Sequence, residues 1–369
     1  MRQFLSKYAF LPVPLVLLTL GSSGEGFFDQ RAGTFFFLGA VFAWFFIKKY
    51  GFLVGIFGGY VLESALYATF WRTNRFGQLG QQGGAALQRA ILMGCLSTLL
   101  AWFVVGFLKP ETLKRLFLAF GLTVCLMSWF PYGYWAYENV LMTPTLAASF
   151  LVLLLPLALG MKEFSLSGIF LITVLFQGGY TAGLATWVMT LAYLSFHIGR
   201  WVVGLGLSSL LAGGLYLLNG HWHGDRWLAK GNDRFGVWKL IWDWFWENPF
   251  HWFGMGAGTA YQLVPWIQKS ADPSSEERGL YVYLHSEYLQ GLFELGIVGL
   301  SLASLIYVRS LVRMYRARRV NEFAFLCALG TSALTMPILR HDTVMLLVVF
   351  QLHLIFSKGS RLEYKVGHL

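Results

Sequence analysis

The chain has 369 residues, of which 56% are hydrophobic and only 12% charged, and its formal net charge is +10. A water-soluble domain of this length carries roughly twice that charged fraction, so composition excludes a soluble enzyme. The positive balance points to membrane orientation rather than to nucleic acid, because Lys and Arg gather in short loops between apolar runs.

Apolar runs close to bilayer-crossing length recur from end to end. They predict an all-α polytopic membrane protein with about 12 transmembrane helices and one large periplasmic loop containing short helices. A β-barrel would instead show segments of roughly 10 residues with alternating polarity, and the sequence has none. In chain order the predicted spans are 8–24, 33–47, 51–70, 85–108, 116–131, 144–160, 165–178, 181–196, 201–218, 289–308, 323–339 and 343–357. The first (Arg2, Lys7, then Phe10 to Leu20) resembles a signal peptide. It lacks a convincing small-x-small cleavage site and many spans follow, so it is read as a retained helix. Cys95, Cys125 and Cys327 all lie inside apolar runs, which predicts buried free thiols and no disulfide framework.

With the N-terminus inside, the inner connections hold most of the 28 Lys and Arg, among them Lys48, Lys49, Lys109, Lys114, Arg115, Lys162, Arg200, Arg309, Arg313, Arg316, Arg318 and Arg319. Both termini are then cytoplasmic in a bacterial inner membrane. Residues 1–369 read as one integral membrane domain, with a periplasmic loop at 219–288 inserted between spans 9 and 10.

Within that loop, Phe235 to Glu247 reads FGVWKLIWDWFWE. Lys239, Asp243 and Glu247 make a polar stripe, and Trp238, Ile241, Trp242, Phe245 and Trp246 cover much of the rest. This pattern suits a helix lying in the outer interface, where it anchors the loop or borders a path for a lipid-linked substrate. Asn248-Pro249 ends that helix. Gly254-Met-Gly256-Ala-Gly258 follows no predicted strand, so it is read as a tight re-entrant turn and not as a dinucleotide fingerprint. His221 and His223 sit near Asp225, but no further ligand completes a metal site and no D-x-D pair is present, so no metal is expected.

His285 stands where the loop re-enters the membrane. Gln290 and Glu294, four residues apart, share a helical face. An intramembrane carboxylate is costly unless it is paired or faces a cavity, so Glu294 either bonds neighbouring helices or serves the site. Glu63 and Arg89 are other charged groups within predicted spans. Arg72, Arg75, Arg234, Arg278 and Arg340, the last beside His341 and Asp342, give the outer face several guanidiniums. Arginine grips phosphate oxygens bidentately, although rim salt bridges and headgroup contacts are its commoner uses.

Taken in order, Asp233-Arg234, Trp238, Asn248-Pro249, Gly254-x-Gly256-x-Gly258, His285, Leu289-Gln290, Glu294 and Gly296 resemble the O-antigen ligase/polymerase superfamily over about 232–300. That superfamily includes lipid A-core:O-antigen ligases, Wzy-type polymerases and pilin oligosaccharyltransferases. The resemblance implies a metal-independent, inverting membrane glycosyltransferase without a cofactor. Its implied partners are membrane lipid, an undecaprenyl-diphosphate-linked glycan donor and a lipid A-core, glycan or pilin acceptor, with no nucleic acid. It implies that His285 is catalytic and Arg234 binds diphosphate, with Gln290 and Glu294 in support. One departure stands out. Relatives carry a Ser-Arg pair at an outer helix end where this chain reads Phe176-Gln-Gly-Gly-Tyr180-Thr-Ala. Either Arg72, Arg75, Arg278 or Arg340 replaces that arginine, or the chain takes another donor or has lost activity. A lipid or polysaccharide transporter or flippase is the alternative of another class.

Overall fold

The computed structural model describes residues 51–61, 64, 109–129, 144–177, 180–199, 204, 206, 209, 225–247, 251–256, 259–271, 284, 286–335 and 342–356. Among them the regular structure is entirely helical. In chain order the helices are α1 (Phe52–Val61), α2 (Pro110–Trp129), α3 (Pro144–Gly160), α4 (Phe164–Gln177), α5 (Tyr180–His197), α6 (Asp225–Glu247), α7 (Ala260–Ala271), α8 (Glu287–Arg316), α9 (Val320–Thr335) and α10 (Asp342–Phe356). The predicted spans 8–24, 33–47 and 85–108 lie outside the described residues, as does most of 201–218.

Hydropathy located the described helices well and misjudged some of their ends. α3 coincides with its predicted range, and α4, α5 and α10 lie within one residue of theirs. α2 starts six residues earlier than its apolar run, because Pro110 and Glu111 open a helix before hydrophobicity begins. α8 runs on through Arg309, Arg313 and Arg316, whose apolar neighbours keep the periodicity going. Among the described helices, α2 and α8 are long and apolar enough to cross a membrane. α3, α4, α9 and α10 are apolar but have 17, 14, 16 and 15 residues. At 1.5 Å rise per residue that is roughly 21–26 Å, short of a hydrocarbon layer of about 30 Å.

α2, α3, α4, α5, α9, α10 and the far end of α8 build the main core, with α3 nearly encased from Leu146 to Ala158. Part-buried polar groups serve as ties between helices. The Trp129 indole N–H donates to Thr173 Oγ1 at 3.0 Å, the Tyr307 hydroxyl to the Leu326 carbonyl at 2.9 Å, and the Tyr193 hydroxyl to Asn321 Oδ1 at 2.8 Å. Cys125 is a buried free thiol and Cys327 a partly buried one, while Cys95 falls outside the described residues.

The bundle is electrically lopsided. α3 and α8 end in the same motif, with a basic residue in the left-handed region (Lys162 φ 62°, Arg318 φ 53°). The following amide reaches back to the last turn, Glu163 N–H to Ala158 O and Arg319 N–H to Met314 O, both at 3.0 Å. Asn321 lies against Gly160, and Phe196 packs on Tyr315 and Phe323. The C-terminal ends of α3, α5 and α8 therefore meet the N-terminal ends of α4 and α9. The Trp129–Thr173 tie pairs the far ends of α2 and α4, which puts the start of α2 at this same end. Lys109, Lys114, Arg115, Lys162, Arg313, Arg316, Arg318 and Arg319 collect there.

At the opposite end α6, α7 and the start of α8 make a second, smaller core from Ile241, Phe245, Met255, Leu263, Val264, Ile267, Leu284 and Phe293. α6 begins ten residues before Phe235, because its first stretch lacks the apolar period that marked the rest. Lys239, Asp243 and Glu247 are exposed, as their stripe predicts. Trp242 and Trp246 are exposed too, at 45% and 42%, and form an edge-to-face pair beside the polar stripe.

α8 is broken at Gly296 (φ 68°, ψ −174°). A break frees peptide groups that a helix would pair, and each needs another partner. Residues 252–256 provide them. Met255 N–H donates to Phe293 O and Gly256 N–H to Glu294 O, both at 2.8 Å, and Val298 N–H donates to Trp252 O at 3.0 Å. The Tyr60 hydroxyl of α1 sits between Leu295 O at 2.7 Å and Phe253 O at 2.9 Å. Backbone meets backbone so closely that a Cβ on Gly254 (φ 74°) would lie 2.4 Å from the Glu294 carbonyl, and one on Gly296 would lie 2.4 Å from Gly254 N. The tight turn expected at Gly254 and Gly256 is present, with positive φ at both; Gly258 lies outside the described residues.

Gly254→Ala and Gly296→Ala are each expected to destabilise the fold by about 2–4 kcal/mol, from left-handed strain plus overpacking. Gly168→Ala and Gly183→Ala, where an added Cβ meets nothing within 4 Å, serve as controls. They should be neutral or gain up to about 1 kcal/mol of helix propensity. Thermal unfolding midpoints of the purified variants check this, and equal midpoints for Gly254→Ala and Gly183→Ala would contradict the backbone lock.

Candidate functional site

The broken helix and its loop hold two of the polar residues singled out in the sequence, Gln290 and Glu294. Ser286 is the N-cap of α8, with extended φ/ψ (−153°, 121°), and its side chain accepts from Leu289 N–H. Ser286, Gln290 and Glu294 then follow at four-residue spacing on one face, at 3%, 1% and 2% exposure. Three polar side chains in a buried row are expensive unless bonded. Glu294 is bonded: its Oε1 accepts from Gln290 Nε2 at 3.2 Å and from Ala260 N–H at 3.3 Å. Ala260 is the first residue of α7, so the carboxylate sits at the positive end of that helix dipole. Among the described residues Gln290 Oε1 has no hydrogen-bond partner.

α6 closes the other side. The Trp238 indole N–H donates to the Leu284 carbonyl, tying α6 to the residue just before His285. Trp238, Ile241, Trp242 and Phe245 of α6 face Leu284, Leu289, Leu292 and Phe293 across a half-open apolar cleft. Its interior space is about 10 Å³, no more than a single water occupies. Farther out, Trp246, His251 and Trp252 continue as an aromatic row with ring centroids 5.5 and 5.7 Å apart.

Of the residues predicted to carry function, the structure brings Gln290 and Glu294 together. Arg234 falls on α6, one turn before Trp238, and only its backbone is described. His285, Arg72, Arg75, Arg278 and Arg340 lie outside the described residues, as do Glu63, Arg89, His221, His223 and His341. The stretch from Phe176 to Ala182 joins the end of α4 to the start of α5, far from the basic end. Among the described residues no group of three or more His, Cys, Asp or Glu is placed to hold a metal ion.

Sequence reasoning passed over Tyr60 and Ala260. Tyr60 lies 193 residues before Phe253 and 235 before Leu295, and nothing local announces that its hydroxyl bridges them. Ala260 contributes only a peptide N–H, which no residue type signals. No protein-family model matches the chain, and no curated protein matches it.

Glu294→Ala would leave the Ala260 N–H and the Gln290 amide without their acceptor in a buried setting. The expected cost is about 2–5 kcal/mol. Glu294→Gln keeps an oxygen acceptor of the same shape and is expected to retain most of the stability. Unfolding midpoints of the two variants decide it; an alanine variant as stable as the glutamine one would remove the capping role.

Proposed function

We propose that this chain is a multi-pass membrane glycosyltransferase of the O-antigen ligase type. It moves a glycan from an undecaprenyl-diphosphate carrier to an acceptor hydroxyl at the periplasmic face of a bacterial inner membrane. One observation carries the reading. The motif pieces around Gly254-x-Gly256 and around Gln290, Glu294 and Gly296 are separated by some 40 residues in sequence, yet they interlock backbone to backbone. Unrelated short matches have no reason to do so.

The membrane setting of about 12 spans is supported by the apolar side chains left exposed around the bundle, such as Leu126, Ile172, Leu175, Leu305 and Val308. A surface of this kind fits lipid rather than water. The collected Lys and Arg mark the cytoplasmic end, which leaves α6, α7 and the start of α8 on the periplasmic side. α6, with Trp242 and Trp246 exposed beside its polar stripe, then lies at headgroup level.

In the proposed reaction the prenyl tail stays in lipid and the diphosphate rests at the outer mouth. His285 takes the proton of the acceptor hydroxyl as its oxygen attacks the anomeric carbon. The carbon–oxygen bond to the carrier diphosphate breaks with inversion, and the diphosphate leaves with the electron pair. Arg234 and a second arginine, one of Arg72, Arg75, Arg278 or Arg340, neutralise the charge that develops there. A guanidinium pair thus fills the electrostatic role that a divalent cation plays in many phosphate-leaving reactions. An unperturbed imidazole titrates near 6.5, which suits a base at neutral pH. A Wzy-type polymerase or a pilin oligosaccharyltransferase would share this donor chemistry and differ in acceptor.

A transporter or flippase is favoured by one feature, the helix broken at Gly296 beside a buried carboxylate. Against it, the peptide groups freed by the break are occupied by residues 252–256 and Tyr60, and so are not available to coordinate cargo.

Reconstitution in liposomes with a polyprenyl-diphosphate-linked glycan and an acceptor tests both readings. His285→Ala is expected to abolish transfer while inserting normally, and normal transfer by that variant refutes the base. Translocation without transfer by the wild type would favour the carrier. Arg234→Lys is expected to lower turnover by roughly 100-fold or more, since a point charge does not reproduce the planar fork. Wild-type rates with lysine would sink the clamp.

A further inference from the structure

The end of α8 and the turn after it, Arg309 to Arg319, read RSLVRMYRARR, with five arginines and neither a lysine nor an acid. Among cationic side chains arginine offers a planar fork that fits two phosphate oxygens, and it keeps its charge at any working pH. Arg319 is occupied by Glu322. Arg309, Arg316 and Arg318 are exposed. Arg318 sits at φ 53°, a left-handed position where glycine would be unstrained, so the chain accepts strain to keep a cation there.

The same face of the helix is apolar just inward of the charge. Ser310 and Met314 are buried and Leu311 packs on the main core, which fixes the opposite side of α8 as its outer face. Leu305, Val308 and Val312 are exposed there together with Arg309 and Arg316. At about 3.6 residues per turn these five fall on one stripe. Arg309 stands beside the apolar residues and Arg316 one turn past the last of them, roughly 10 Å farther along the axis. α8 is also one of the described helices long and apolar enough to cross a membrane. A ligand that satisfies this face carries phosphate joined to hydrocarbon. Free phosphate makes no use of the exposed leucine and valines, and nucleic acid brings phosphates without hydrocarbon.

We propose that this face of α8 binds an anionic phospholipid of the surrounding bilayer. The lipid phosphate lies between Arg309 and Arg316, and its acyl chains run along Leu305 and Val308. The inference rests on the membrane setting proposed above and not on glycosyl transfer. Its consequence is a preference among lipids. An anionic headgroup holds the arginine end of α8, whereas a zwitterionic one carries its own balancing ammonium and holds it less.

The test places the full chain in nanodiscs of phosphatidylcholine and phosphatidylglycerol in equal amounts and counts the retained lipids by native mass spectrometry. The wild type is expected to retain phosphatidylglycerol about tenfold or more over phosphatidylcholine. Arg309→Gln combined with Arg316→Gln is expected to bring that ratio close to parity. Lys239→Gln, an exposed position on α6 at the other end, should keep the wild-type ratio. Equal retention of the two lipids by the wild type overturns the proposal. So does an equal loss in Lys239→Gln, which would make the preference a general effect of charge. Inorganic phosphate added at the concentration of the lipid should leave phosphatidylglycerol bound, and its displacing the lipid would overturn the proposal in favour of a free anion. If the double variant does not fold, the wild-type ratio still decides. A chain that fails to enter nanodiscs at all defeats the membrane setting, whereas one that enters without preference defeats this inference alone.

Discussion

Everything at the site end of the molecule depends on how the break in α8 is sealed. Peptide groups set free in a low-dielectric setting cost several kcal/mol each unless they are paired. Here two glycines let a loop press its backbone against the broken helix, three backbone hydrogen bonds join the two, and the Tyr60 hydroxyl of α1 adds a fourth to the helix. On the proposed topology, Gly296 lies 13 residues before Arg309, about 20 Å along the axis from the inner boundary. In a hydrocarbon layer of roughly 30 Å that is well below the outer surface. Irregular backbone survives at such depth when protein covers it. The loop also starts α7 at the one place where its first N–H reaches Glu294. A side-chain row and a helix dipole are thus set by a contact that involves no side chain except the Tyr60 hydroxyl.

The two ends of the bundle carry different chemistry for a common reason. A helix C-terminus exposes carbonyls, and basic residues in the left-handed cap position satisfy both its geometry and its dipole. Lys162 and Arg318 do this at the ends of α3 and α8. The same residues that finish the helices therefore build the positive end of the bundle. At the other end Glu294 does the complementary thing, placing an acidic group at the N-terminus of α7. Helix polarity and the proposed membrane orientation reinforce each other in this arrangement.

How much was legible in the sequence divides along physical lines. Apolar runs gave α3, α4, α5 and α10 almost to the residue, because burial along a whole helix leaves a continuous trace in composition. Ends set by local chemistry were less visible: Pro110 opens α2 outside its apolar run, and the polar first turns of α6 precede its pattern. Lys239, Asp243 and Glu247 were correctly read as a solvated stripe, yet the rings of Trp242 and Trp246 beside it are also exposed, which hydrophobicity alone does not anticipate. The tight turn at Gly254 was legible from glycine spacing. Its docking onto Gly296 was not, since that is a contact between peptide groups 42 residues apart and leaves no mark in residue type beyond two glycines.

The broken helix bears on the choice between an enzyme and a carrier in a way the motif alone does not. A carrier that uses a discontinuous helix keeps the freed carbonyls and amides for its cargo and must let one half move against the other. Here those groups are spent on the loop, and Tyr60 from a distant helix pins the joint at both carbonyls it touches. Motion at Gly296 would have to strip several buried hydrogen bonds at once, each worth about 1 kcal/mol net and more when left unpaired. That stiffness is a handicap for alternating access. For catalysis it is an asset, because a reacting hydroxyl must be held against its base and leaving group within a few tenths of an ångström, and only a rigid support does so.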